Sequence, residues 1–559
     1  MSKWFQMNYL NKVLSLAAIL WLSVLAVLAQ APPPPPGPSP QPSPSKPGAP
    51  STDSSKSSSP APETRITPEE AKQLFGLVDQ LLKFSSQETG LPIKSEVKRQ
   101  ITTRAAVESY LKEKFDDDED AKRMQRSEIV LKKFGLLDRD FNLKPFLLEL
   151  FTEQIEAYYD PKDKTVNMLD WVPPEEQKAA LAHELTHALQ DQRVNLDKWS
   201  DQTPPDVSHT SAEDSDHLAK DELDTAREAV TEGQATAVMT DNLLKPMGKS
   251  LIGDPEVVDL LKQQMAGSQD SPVLARAPLL LSESLIFPYR EGLSFEQDVW
   301  MDRGQAAAFA GALDRPPSSS WEIMNPREYE QGHVPSVPYM PDIHPLVDTT
   351  YRPYDIGQVG ELDVHILTNL FGGDNAARDL TPAWDGGIYW AGQRLNATPT
   401  EQATTKSIAL FYLSVWKSAA SAQSFARLYA DELGRKYSGL KPDRAAESNR
   451  EQRDGTTEQV WSTDEGPVVI TRRGKMVFVA ESFDLPLARK LATLILASQG
   501  SGPLQNASIT PISNPGRERR LAGNTTPSGT LTAPIVSFLS NCGVTRVVVN
   551  AAILSTRGN

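Results

Sequence analysis

The sequence predicts a mostly helical α+β chain, and three observations carry that expectation. Long stretches between residues 67 and 349 repeat their apolar residues at helical spacing behind recognisable start signals. Two β-rich runs flank a Pro/Asp/Lys turn at 155–169, and a second group of strand-like runs falls between 408 and 481. At 559 residues the chain is long enough for about two to four domains.

Composition narrows the partners. The chain carries 57 Lys+Arg against 73 Asp+Glu, a net charge of −16. Such a balance argues against nucleic acid as a partner, because phosphate binding needs a basic face. A single cysteine, Cys542, excludes an internal disulfide, a zinc ribbon and an iron–sulfur cluster.

The N-terminus reads as an export signal. Lys3 and Lys12 precede an apolar run from Val13 to Ala29 interrupted only by Ser15 and Ser23, and small residues follow at Ala26, Ala29 and Ala31. The run, about 17 residues, falls slightly short of the ~20 that span a bilayer. Residues 1–30 are therefore expected to be a cleaved signal peptide, with a membrane tether through 13–29 as the alternative. No lipobox cysteine is present. Residues 31–62, dominated by Pro and Ser, read as an extended linker. The rest of the chain is then expected outside the cytoplasm.

The folded part begins at Thr67-Pro68-Glu69-Glu70, an N-cap hydroxyl, a proline at the first helical position and acids in the first turn. Leu74, Leu77, Val78, Leu81 and Leu82 follow at helical spacing. A strand is expected near Val97–Ile101, then a helix ending near Phe115, and the Asp116–Asp120 run as a solvated turn. Leu143–Gln154 reads as a helix, and Ile155–Tyr159 with Thr165–Leu169 as a hairpin. Pro173-Pro174-Glu175-Glu176 opens the next helix. Mostly helical patterns with Pro-rich connections continue to Thr349.

From Tyr351 the character changes. Ile356–Phe371 reads as helix, Ile408–Trp416 as strand, Ala422–Lys436 as helix, Gln459–Ser462, Val468–Arg472 and Met476–Glu481 as strands, and Pro486–Leu496 as a closing helix. That order predicts a smaller α+β module over 351–498. Trp384-Asp385-Gly386-Gly387 reads as a turn or equally as a packing corner. Residues 499–559 return to Gly, Ser, Thr, Asn and Pro and are expected to be poorly ordered.

The chemistry lies in His183-Glu184-Leu185-Thr186-His187. On a helix, positions i and i+4 share a face, so His183 and His187 can present two imidazole nitrogens to one ion. Glu184, about 100° around the helix, can reach a water on that ion. Two neutral imidazoles suit zinc, and a carboxylate beside such a water can take its proton and later pass it to a leaving amine. The flanking residues Ala179, Ala180, Leu181, Ala182, Leu185, Ala188 and Leu189 make the helix apolar nearly all round, hence buried. Two buried imidazoles need partners, and a metal supplies them. An open catalytic site needs a third protein ligand, and Glu228 and Glu232 stand one turn apart on a downstream helical stretch, 226–239.

The His-Glu-x-x-His helix followed by Glu232-Gly233-Gln234-Ala235 resembles the gluzincin class of zinc metallopeptidases. The likeness covers residues from about 155 to 245. It implies a zincin-like metallopeptidase domain over 63–350, one Zn2+ held by His183, His187 and Glu232, Glu184 as the catalytic base, and a peptide or protein substrate. It leaves Glu228 as a partner to a ligand histidine. Gly233 and Ala235 would let their helix pack close to the zinc helix, and the preceding hairpin would offer an edge strand to an extended peptide. Two features depart from the class. The 45-residue spacing between His187 and Glu232 is long, owing to a polar segment, Asn195–Lys220, that reads as a surface insertion. Thr236 stands where the class often has an aspartate, so Asp191 or Glu228 would have to support the ligands instead.

The class also uses a Tyr or His to stabilise a developing oxyanion. Tyr289, Tyr158, Tyr159, His217 and His344 are candidates, each as readily structural, and the sequence does not choose among them. The function expected is thus an exported zinc-dependent peptidase. A non-catalytic zinc-stabilised cell-envelope binding protein is the alternative, and metal-assisted hydrolysis of a non-peptide bond is a third reading.

Overall fold

The computed structural model describes residues 65–500 apart from 118, 201–206, 267–271 and 446–454, together with Thr545–Arg546. The expected export signal, the linker, Cys542 and nearly all of the expected C-terminal tail lie outside the described residues. No helix among the described residues is long and apolar enough to cross a membrane.

Helix α1 (Pro68–Thr89) starts as its first residues require: Thr67 Oγ1 accepts from the Glu70 N–H, and the Glu70 carboxylate accepts from the Thr67 N–H at 2.7 Å. Strand β1 (Lys98–Thr102) leads to α2 (Arg104–Asp117) and α3 (Glu119–Phe134). The Asp116–Asp120 run is therefore mostly helical, not the turn expected: its first two residues close α2, and Glu119 and Asp120 open α3, where acids suit the N-terminal dipole.

Helix α4 (Leu143–Gln154) passes directly into β2 (Ile155–Asp160), which pairs antiparallel with β3 (Thr165–Leu169) in the register Tyr158↔Asn167. Asp160 Oδ1 accepts from the Lys162 N–H at 2.8 Å to close the turn. The hairpin belongs to a mixed sheet in which β1 lies parallel to β3 and a short strand, Thr545–Arg546, is laid antiparallel on the edge of β2.

Helix α5 (Pro174–Val194) follows and ends at Asn195 in the left-handed conformation. Its apolar residues from Ala179 to Leu189 are buried, each leucine contributing about 1.5–3 kcal/mol. The expected surface insertion is instead part of the fold. It contains α6 (Ser211–Lys220), which buries Asp214, His217 and Leu218. Its polar composition hid this, because Asp214 bonds His344 and His217 lies by Asp221.

Helix α7 (Leu223–Leu244) is buried along nearly its whole length and lies against α8 (Leu279–Arg303). Here the expected role of Gly233 is corrected. A Cβ on Gly233 would sit 2.3 Å from Gly292 O, and one on Gly292 would sit 2.2 Å from Ala229 O. The glycine brings α7 onto α8, not onto α5.

A seven-stranded antiparallel sheet fills the C-terminal part, in the order β4-β5-β6-β10-β9-β8-β7. Its strands are β4 (Tyr351–Gln358), β5 (Trp384–Arg394), β6 (Ile408–Trp416), β7 (Lys441–Pro442), β8 (Thr457–Thr463), β9 (Gly466–Arg473) and β10 (Met476–Glu481). Two readings fail here. Residues 356–358 belong to β4, and helix α9 (Glu361–Leu380) starts only after Gly360. Trp384–Gly387 is the bulged start of a strand, not a turn: a Cβ on Gly386 would meet Ser336 O at 2.3 Å, so glycine serves close packing there. The remaining helices of this part include α10 (Ala419–Asp431) and α11 (Leu485–Ser498).

Both faces of this sheet are covered. Leu410 and Tyr412 join a core shared with α1–α5, α7 and α8, while Ala409, Phe411 and Leu413 join one formed with α11, Ile343, Val347 and Leu218. Phe134 of α3 meets Tyr389 and Tyr412 edge-on, at centroid distances of 5.3 and 6.0 Å. Residues on either side of position 350 therefore share one core. A buried ion pair crosses the same seam, Lys133 of α3 to Glu465 at 2.8 Å, and within the C-terminal part Lys436 reaches Glu481 at 2.5 Å.

The Gly233–Gly292 crossing yields a stability test. Gly292→Ala should destabilise the chain by at least about 1–3 kcal/mol in urea denaturation, since backbone has to move. Gly76→Ala, on an exposed face of α1 with open space at its Cβ, should stabilise it by about 0.5–1 kcal/mol.

Candidate metal centre

Three of the residues singled out in the sequence converge. The i, i+4 spacing on α5 puts the rings of His183 and His187 4.8 Å apart, centroid to centroid. From α7, Glu232 reaches both: Oε2 lies 3.0 Å from His183 Nε2, and Oε1 lies 3.5 Å from His187 Nε2. One ligand atom from each of the three lies within 4.8 Å of the others. Ligands about 2.0–2.1 Å from one zinc stand about 3.3 Å apart along a tetrahedral edge, so the spacing matches a shared ion. Glu228, one turn earlier, is not in this group. It is buried with Oε2 unbonded, and burial with the nearby Glu232 and Asp224 pushes its carboxyl well above the usual range.

The supports are specific. His187 Nδ1 lies 2.8 Å from Gln190 Oε1, so the imidazole donates there and Nε2 faces Glu232. Gln190 Nε2 in turn donates to Thr231 O and to Gln234 Oε1, both at 3.0 Å. Gln234 donates to the carbonyls of Ala308 and Phe309, again at 3.0 Å, in a π-helical turn at Ala307–Gly311. The i→i+5 bonding of such a turn interrupts the α-helical ladder and leaves carbonyls for such side chains. This relay was missed in the sequence. Its one signal was Gln190, three residues beyond His187 and so on the same face.

Glu184 is held from the hairpin: the backbone N–H of Tyr159 donates to its Oε2 at 2.7 Å. Asp191, expected to support a ligand, does other work. It accepts from Tyr159 Oη at 2.8 Å and pairs with Lys164 at 2.7 Å, locking the end of α5 to the hairpin. Tyr159 thus fixes α5 at two points.

Of the oxyanion candidates, Tyr289 stacks beside His183 at 6.2 Å between centroids. The Tyr159 hydroxyl is committed to Asp191, and Tyr158 stacks on Tyr110 and bonds Thr102. His344 pairs with Asp214 and Asp348, and His217 lies by Asp221, so neither is grouped with the centre. A cavity of about 270 Å³ adjoins the outer end of α5, lined by residues including Tyr159, Lys164, Asp191 and Gln192.

Charge is unevenly shared. Burial pulls His183 down to about 4, against its hydrogen bond to Glu232. His187 is opposed by burial too, but the Glu232 and Glu184 carboxylates outweigh it and raise His187 to about 9. Burial would raise Glu232, yet the two imidazoles hold it at about 2. Without a metal, the trio at neutral pH therefore holds one proton, on His187, beside an ionised Glu232.

The residues fit a metal ion. His187 Nε2 is buried without a hydrogen-bond partner, His183 Nε2 meets the same Glu232 carboxylate, and two imidazoles with one carboxylate make a donor set suited to zinc and its neighbours.

Two outcomes follow. Gln190→Ala should leave the metal stoichiometry unchanged and weaken affinity about 10–100-fold, read by competition with a chelator. Binding near pH 7–8 should release about one proton, because the ion displaces the one on His187. Apparent affinity should then rise with pH and level off above about 9, measured by calorimetry in buffers of different ionisation enthalpy.

Comparison with family models, with curated proteins and with solved structures gives no match, so the reading of the centre rests on its own residues.

Proposed function

We propose that this chain is an exported zinc-dependent peptidase of the gluzincin kind, with a zincin-like arrangement around α5 and α7. One observation carries the reading: a three-donor set, His183, His187 and Glu232, with a carboxylate pinned beside it by the Tyr159 N–H. Structural zinc sites are closed by four protein ligands, whereas three leave a position for water and substrate. A bound zinc would supply a Lewis acid for the peptide carbonyl and lower the pKa of water towards neutrality.

The chain's own groups do the rest. Glu184 takes the proton of the attacking water and returns it to the leaving amine. The Tyr159 N–H keeps that carboxylate aimed, and Gln190 keeps His187 in the tautomer that offers Nε2. The edge of β2 accepts a short antiparallel strand, Thr545–Arg546, which is how an extended peptide would align beside the centre.

A second reading has its own support. His183 and Glu184 are each only 1 % exposed, as in a centre that stabilises a binding protein without turnover.

Glu184→Gln separates the two. On the peptidase reading the variant keeps its metal but loses at least about 100-fold in cleavage of a mixed peptide library. Activity equal to wild type, or none in either protein with metal bound, would remove the peptidase assignment.

A further inference from the structure

A second group of metal-ligating side chains joins the segment that the sequence presented as an insertion, through His209, to His344 and Asp348. His209 Nδ1 is 2.8 Å from Asp348 Oδ2, and His344 Nδ1 is 3.2 Å from Asp348 Oδ1. Ligand atoms of the three lie within 4.8 Å of one another, and the two rings are 6.1 Å apart. On the far side of His344, Nε2 lies 3.1 Å from Asp214 Oδ2. Asp214 and His344 are both buried, and Asp214 Oδ1 has no hydrogen-bond partner.

His344 thus has a carboxylate at each ring nitrogen. A neutral imidazole has one N–H and one lone pair, so it can donate to only one of them, and facing both carboxylates takes either a second proton or a cation at the other nitrogen. A cation between His209, His344 and Asp348 meets that requirement. The Nε2–H donates to Asp214, which fixes the tautomer, and Nδ1 turns its lone pair to the ion, the carboxylate–histidine–metal arrangement. Asp348 then becomes a ligand instead of a competitor. Contacts of 2.8 and 3.2 Å are again close to the tetrahedral edge of about 3.3 Å.

We propose that His209, His344 and Asp348 form a second divalent-metal site, suited to Zn2+, positioned by Asp214 and separate from the centre on α5. Its ligands come from two stretches far apart in sequence, the approach to α6 and the short helix His344–Val347. The same two stretches meet in the core through Leu218, Ile343 and Val347. The ion clips α6 to the base of the seven-stranded sheet, and the exposed His209 leaves it an entry path from solvent. The site does not depend on the peptidase reading.

The test is a Zn2+ titration of the untagged full chain after dialysis against a chelator, with metal counted per folded chain. His209→Ala, at an exposed position where the fold tolerates it, should bind one zinc fewer than wild type. Asp214→Asn should keep the wild-type count but weaken one step about 10–100-fold. Chelation of His187→Ala, whose α5 centre is disabled, should speed hydrogen exchange across 207–220. A His209→Ala variant that binds as many zinc ions as wild type overturns the proposal, whatever the α5 centre does.

Discussion

The Glu232 carboxylate, set between two imidazoles inside the protein, is the contact on which the arrangement depends. It joins α5 to α7, and neither helix could bury those groups alone. An imidazole or carboxylate taken from water without a partner costs several kcal/mol, which the apolar face of α5 must offset. The Gly233–Gly292 crossing lets α7 lie against α8 with no intervening side chain, and Glu232 is the next residue along that helix. The position of the carboxylate is thus set by packing about 100° around its own helix.

Around that contact the protein spends polar groups on orientation. The hairpin fixes α5 twice through Tyr159, by its N–H to Glu184 and by its hydroxyl to Asp191. The relay Gln190–Gln234 ends on carbonyls of a π-helical turn, so ring orientation at His187 is tied to backbone over 100 residues away. Because His187 carries a proton that an ion must displace, the same electrostatics that stabilise the metal-free trio set the pH dependence of loading.

Much of this was legible in the sequence. The helix start at Thr67, the helix Leu143–Gln154, the hairpin and the strands Ile408–Trp416 and Met476–Glu481 follow local rules of capping, turn chemistry and β-branched runs. His183, Glu184 and His187 were readable because a single helix sets their spacing. Glu232 was readable through a resemblance, with Glu228 left as its rival, because choosing between two acids one turn apart needs the rotation of α7. What was not legible depends on contacts between distant segments. Gly386 could not be assigned between turn and packing corner because glycine for close packing and glycine for a turn are the same letter. The 195–220 segment looked solvated because the partners of Asp214 and His209 lie 130 or more residues away. Gln190 carried no signal beyond its spacing.

The most direct test of the central claim is anomalous diffraction at the zinc edge from crystals of the chain grown with Zn2+. The account predicts a peak about 2.0–2.2 Å from His183 Nε2, His187 Nε2 and a Glu232 oxygen. Density at those side chains with no anomalous peak among them, in crystals that carry zinc elsewhere, would contradict it.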